Sequence, residues 1–202
     1  MSVPIRILKP LLFLLCLGPV GYLVYAVAFL PADAFGANPQ SAVTDMMGDW
    51  TLRFVLITLA VTPLRKITGW NSAVRYRRMF GLFAFFYSFL HFLTYVWFTE
   101  NFVVSDIVAD VVKRPFITVG FLAFVLMIPL AITSTKKWIS RIGGKRWQRL
   151  HQAIYITGIL GVIHYIWRVK SDIERPLIYA LLLALLLGFR LWHKLRRAPV
   201  LR

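Results

Sequence analysis

Three histidines, His91, His151 and His164, stand inside apolar stretches of a 202-residue chain. An ionisable side chain in hydrocarbon is costly, so each is a candidate functional group by default. Neutral imidazole binds a metal through one ring nitrogen while the other is held by a hydrogen bond. A histidine can also relay protons, or simply bond a neighbouring helix. Spacing helps to separate these roles. The stretch holding His91 begins near residue 80, which puts this imidazole roughly 16 Å along an α-helix. His164 follows His151 by thirteen residues, roughly 20 Å along the axis. If both stretches enter from one side, His91 and His164 reach a common depth and His151 stays near the opposite face. Two imidazoles at one depth on separate helices suit the two axial positions of a haem iron. Such an iron has no open position for oxygen or substrate, so the site moves electrons. Thirteen residues turn a helix by about 220° net, so His151 and His164 do not share a stripe and need not serve one cofactor. The remaining histidine, His193, lies among Arg190, Lys194, Arg196 and Arg197 and is expected to be solvated.

The elements that position these residues are membrane helices. The chain is 59% hydrophobic, against about half in soluble domains. Six segments approach the ~20 residues that span a bilayer: approximately 11–30, 50–64, 80–99, 115–133, 151–168 and 176–193. The second is short and ends at Pro63. The loops between them, about 31–49, 100–114 and 169–175 on one side, cannot fold into a domain alone, so residues 1–202 form one transmembrane domain. Arg6 and Lys9, an apolar run and Ala26-Val27-Ala28 also resemble a cleavable signal peptide, but the run is long for one, and a retained first helix is expected. No internal repeat is visible.

Charge sets the orientation. With the N-terminus in the cytoplasm, 18 of the 24 basic residues fall on the inner side: Arg6, Lys9, Arg65, Lys66, Arg75, Arg77, Arg78, the basic residues between Lys136 and Arg149, and the tail from Arg190 to Arg202. This is the positive-inside pattern. All eight acids, from Asp33 to Glu174, fall on the other side. Both termini are then cytoplasmic. The net charge of +16 does not indicate nucleic acid, because the basic residues punctuate apolar spans and form no soluble basic domain. The single cysteine, Cys16, permits no disulfide within the chain, and no C-x-x-C-H motif exists to attach haem covalently. Gly143-Gly144-Lys145 lacks the full phosphate-loop pattern and its strand–helix setting.

Arginines form a second layer. Arg168 follows His164 by four residues and shares its helix face, where it can pair with a haem propionate near the outer surface. Arg77, Arg78 and Arg149 can hold propionate or phosphate near the inner surface. The plain alternative for each is the ordinary basic flank of a span. Aromatics crowd the same segments, from Phe83 to Trp97 and at Tyr155, Tyr165 and Trp167. They line a cofactor cleft or pack between helices.

A set of short motifs joins these residues: Thr62-Pro63-Leu64, Arg77-Arg78-Met79-Phe80-Gly81-Leu82, Leu90-His91, Arg114-Pro115-Phe116 and Thr133-Ser134-Thr135. Trp147-Gln148-Arg149-Leu150-His151, His164-Tyr165-Ile166-Trp167 and Pro176-Leu177-Ile178-Tyr179 complete it. In order and spacing the chain resembles, over nearly its whole length, the haem-binding membrane subunits of periplasmic methionine sulfoxide reductase systems, a branch of the ferric-reductase-like transmembrane superfamily. The resemblance implies an all-α six-helix bundle in the bacterial inner membrane, holding b-type haem and FMN. It implies electrons drawn from the quinone pool, or from a cytoplasmic flavin reductase. Their recipient would be a periplasmic molybdopterin-containing methionine sulfoxide reductase that repairs oxidised proteins. Many superfamily members carry two histidines on the third helix and two on the fifth, for two stacked haems. Here His151 and His164 are present on the fifth, but the third has only His91, with Arg77 where the partner would stand. The expectation is an intact outer haem on His91 and His164. The inner site is expected to be broken, with flavin there and Arg77 or Arg78 near its phosphate. A second haem on His151 with a non-histidine ligand is the rival. Two readings from other classes remain open, a histidine-relay proton channel or transporter and a non-redox anchor subunit.

Overall fold

The computed structural model describes residues 5–169 and 172–196. These fold into six longer helices and three short ones. The longer are α1 (Ile5–Phe29), α2 (Pro39–Thr68), α3 (Val74–Phe98), α5 (Pro115–Ile132), α8 (Ala153–Arg168) and α9 (Glu174–Leu195); the short ones are α4 (Val104–Lys113), α6 (Lys136–Ile142) and α7 (Gly144–His151). Five of them, α1, α2, α3, α5 and α9, are long and apolar enough to cross a membrane. With 16 residues, α8 is about 24 Å long, just under a full span. The chain is a multi-pass membrane protein. Arg197, Arg202 and the side chain of Arg6, part of the basic inner side, lie outside the described residues.

α1 and α3 each begin six residues before the expected starts, at Ile5 and Val74, and two further differences from the sequence expectation are larger. α2 begins eleven residues before position 50 and runs on past Pro63. Its start is well specified: Pro39 occupies the first turn, where a missing N–H costs nothing, and the Asn38 side chain accepts from the Ser41 N–H at 3.1 Å. Its end is a glycine stop, with Gly69 at φ +73° donating back to the Arg65 carbonyl at 3.0 Å. Pro63 leaves the Leu59 carbonyl without its usual partner four residues on. Arg190 of α9 supplies that partner, its Nη2 donating to the Leu59 carbonyl. The helix survives its proline because a side chain from another helix satisfies the open turn.

The second difference concerns His151, which ends α7, whereas His164 lies in α8. The chain makes a tight turn at Gln152, whose N–H bonds Arg149. The two histidines are therefore on consecutive helices, not on one.

Two antiparallel pairs, α2 with α3 and α5 with α8, make the bundle. Tyr87, Met47, Leu59 and Val55 are fully buried in the first pair, and Phe54 stacks on Tyr87 with ring centres 5.3 Å apart. The Tyr87 hydroxyl also opens a turn of α1 beside Pro19. It donates to the Cys16 carbonyl at 2.8 Å and accepts from the Val20 N–H at 3.4 Å. The two pairs meet through a stack of phenylalanines: Phe124 of α5 stacks on both Phe85 and Phe92 of α3, at 6.0 and 4.9 Å. α9 closes the other side, where Arg53 donates to the Tyr179 hydroxyl at 2.9 Å. Large apolar side chains such as Leu14, Leu181 and Leu185 are more than half exposed on the periphery, the surface a bilayer would cover.

Candidate functional site

His91 comes from α3 and His164 from α8, one from each antiparallel pair. Their ring centres are 6.1 Å apart with planes at 77°. Each ring is turned by a backbone hydrogen bond to its neighbouring helix. His91 Nδ1–H donates to the Thr44 carbonyl of α2 at 2.8 Å, and His164 Nδ1–H donates to the Phe116 carbonyl of α5 at 2.6 Å. A carbonyl only accepts, so both rings carry their proton on Nδ1. Both Nε2 atoms then carry a lone pair, the arrangement an outer hydrogen bond imposes on a histidine able to bind a metal.

The two rings face a cavity of about 730 Å³ between α2, α3, α5 and α8, within the ~300–1,000 Å³ range of cofactor sites. Its walls are mainly apolar, with Leu52, Val55, Phe92, Phe124 and Met127 among them. Thr157 also lines it, and its buried hydroxyl has no hydrogen-bond partner.

These residues fit a haem. Two metal–nitrogen bonds of about 2 Å each, with about 1 Å from each nitrogen to its ring centre, place axial imidazole centres roughly 6 Å apart. The observed separation matches. Both coordinating nitrogens are free, the walls are apolar, and charge is confined to the mouth. There Arg168 pairs with Asp45 at 2.5 Å and donates to Ser41 at 3.3 Å. Arg114, which pairs with Asp110 at 2.9 Å, and Arg175 line the same cavity. Nearby, desolvation and the charge of Asp110 hold the Glu100 carboxyl above the usual carboxylate range.

The structure thus brings His91, His164 and Arg168 together and places His151 elsewhere. His151 lies under Trp147, ring centres 3.9 Å apart, and its Nε2 is 3.0 Å from the Thr133 hydroxyl. That hydroxyl donates its proton to the Pro129 carbonyl at 2.6 Å, so it must accept from His151 Nε2–H. His151 therefore carries its proton on the opposite nitrogen to the outer pair. The charge of Arg77 acts on both His151 and Arg190. Arg77, Arg78 and Arg149 are all exposed at this end.

Sequence reasoning missed Arg114 and Arg175 at the mouth. It also missed Gly48 and Gly120, which lie against the two histidine rings.

Residues 47–162 match the family described as ferric reductase like transmembrane component. The matched stretch starts one residue before Gly48 and stops two before His164. Three relatives named protein-methionine-sulfoxide reductase heme-binding subunit MsrQ match over most of this chain. That of Herminiimonas arsenicoxydans is 50% identical over 94% of this chain and 88% of its own length. That of Polaromonas naphthalenivorans is 50% identical over 94% and 86%, and that of Azospira oryzae 51% over 94% and 80%. The chain belongs to the ferric-reductase-like transmembrane family and, within it, to the MsrQ heme-binding subunits.

Proposed function

We propose that this chain is the haem-bearing electron-transfer subunit of a protein-methionine-sulfoxide reductase. The observation that carries this reading is the His91–His164 pair, 6.1 Å apart across an apolar cavity with both Nδ1 protons given to helix backbone. His91 and His164 would hold a b-type haem there, which would supply one-electron redox chemistry. The protein's part is to hold the two imidazoles in one tautomer, exclude water with the apolar walls, and offer Arg168, Arg114 and Arg175 to the acidic groups at the mouth. The relatives' name supports a haem and a methionine sulfoxide reductase partner.

The finer reading has six spans, with α8 as the shortest, both termini cytoplasmic and the acid-bearing mouth on the periplasmic side of the inner membrane. Electrons come from the quinone pool, or from a cytoplasmic flavin reductase, at the basic end. They leave at the mouth to a molybdopterin-containing catalytic subunit. FMN borders His151, with Arg77 or Arg78 at its phosphate and Arg149 beside them. The His151 geometry speaks against a second haem held through Nε2, and this reading gives the inner site to flavin on the resemblance. Its Nε2–H is engaged by Thr133 and its ring lies under Trp147.

The test is a reduced-minus-oxidised spectrum of the purified chain, with quantified haem and flavin. The expected result is b-type bands with one haem per chain. Absence of visible absorption would return the proton-relay and anchor readings. Two haems with no flavin would overturn the inner-site assignment.

A further inference from the structure

The two ligand histidines are seated in the same way. His91 bonds the carbonyl of residue 44 and rests on residue 48, and His164 bonds the carbonyl of residue 116 and rests on residue 120. In each case the bonded carbonyl lies one helical turn before a glycine. The intervals agree as well, 43 residues from Gly48 to His91 and 44 from Gly120 to His164. One helix of each antiparallel pair presents bare backbone, and the other lays an imidazole on it.

The space for these rings exists only because the residues are glycines. A Cβ on Gly48 would stand 2.9 Å from Cε1 and 3.1 Å from Nδ1 of His91. On Gly120 it would stand 2.6 Å from Nδ1, 2.8 Å from Cε1 and 3.0 Å from Cγ of His164. The atoms crowded are the stiff ring itself, and helix backbone lies on the other side of the contact. Either ring must lift away, and lifting it stretches the Nδ1–H bond that sets its tautomer. The other helix glycines crowd no ring: a Cβ on Gly158 or Gly161 would come closest to a leucine methyl, at 3.2 and 3.3 Å. A Cβ on Gly81 meets only Thr58 at 3.7 Å, and one on Gly188 meets nothing within 4 Å.

We propose that Gly48 and Gly120 are positioning residues, two equivalent cradles that aim the Nε2 atoms of His91 and His164 into the cavity and hold both imidazoles in the Nδ1–H form. This rests on the haem reading above. The cradles let the chain place two ligands with backbone groups alone, without a carboxylate in the apolar interior. They also make the two axial ligands alike, since each receives the same kind of hydrogen bond.

The experiment uses the full-length haem-loaded chain in detergent. Gly48→Ala and Gly120→Ala are compared with Gly81→Ala and Gly188→Ala by the electron paramagnetic resonance of the oxidised iron and by haem transfer to an apo-haemoprotein acceptor. The native chain and both control variants should show one low-spin six-coordinate signal. The two cradle variants should convert part of it to high-spin signal and lose haem roughly 10–100-fold more readily. Gly120→Ala should be the more affected, because its contacts are closer. A second arm does not depend on how the alanine variants fold. His91→Gly vacates the ring position, and added imidazole should restore the low-spin signal there. His91→Gly combined with Gly48→Ala should need roughly 10-fold more imidazole. Equal imidazole requirement, or cradle variants with native spin state and retention, overturns the cradles and leaves the haem reading standing. A native chain with no bis-histidine low-spin signal overturns both.

Discussion

The acid-bearing end and the basic end of this bundle hold the same side chain in opposite ways. His91 and His164 give their Nδ1 protons to helix carbonyls and keep Nε2 for a ligand. His151 donates Nε2–H to Thr133 and is covered by Trp147. At one end the imidazoles turn Nε2 toward a cavity; at the other the ring is packed against α5. The difference comes from what lies alongside. Glycine and an available carbonyl leave room for a ring to lie on a helix, whereas a threonine already bonded to its own helix can only accept. Residue type alone does not make a metal site. The partner of the second nitrogen decides it.

The largest expected effect tests that contrast directly. His91→Ala and His164→Ala should each abolish b-type haem, while His151→Ala should leave haem content as in the native chain, measured by pyridine haemochrome. Equal loss in all three would erase the distinction between the ends. Next comes Arg190→Ala, which strips the Leu59 carbonyl of its donor and should cost about 1–3 kcal/mol in unfolding measured in detergent. In a Pro63→Ala background, where the helix can bond that carbonyl itself, the same substitution should cost clearly less. A smaller loss, about 0.5–1.5 kcal/mol, is expected for Thr133→Val, with the haem spectrum unchanged. A shifted spectrum would show that the basic end reaches the outer site. The smallest effect belongs to Asp49→Asn. Its partner Arg53 lies 3.6 Å away, the side chains 41% and 16% exposed for Arg53 and Asp49. The asparagine oxygen still faces the guanidinium, so a loss of up to about 1 kcal/mol is expected in the same unfolding measurement.

The sequence carries the histidine pair because helical rise is regular. Counting from the start of each apolar run brings His91 and His164 to one depth, and the structure puts their rings together. The extra turns of α2 were hidden because Asp45 and Asp49 read as loop residues outside a hydrophobic run. Within the helix both face the cavity, Asp45 pairing with Arg168 and Asp49 with Arg53 one turn along α2. Gly48 and Gly120 were hidden for a different reason. Their role depends on the backbone carbonyls of Thr44 and Phe116, two residues with nothing in common as side chains. Comparing the two halves by residue type therefore shows no repeat. The spacing from glycine to histidine is the signal that was available. The break at Gln152 leaves no mark in the pattern, since Leu150, Ala153 and Ile154 continue the apolar run. At the mouth, Arg114 drew attention only as part of a motif before Pro115, not as a charge facing a cavity.

The bond from Arg190 to the Leu59 carbonyl bears on how the molecule is made. Chains emerge from the ribosome N-terminus first. α2 and its proline are therefore synthesised more than a hundred residues ahead of the side chain that completes the open turn. Until α9 arrives, α2 carries an unsatisfied carbonyl beside Pro63. α9 is thus a latch for α2, which can reach its final form only after α9 has been made.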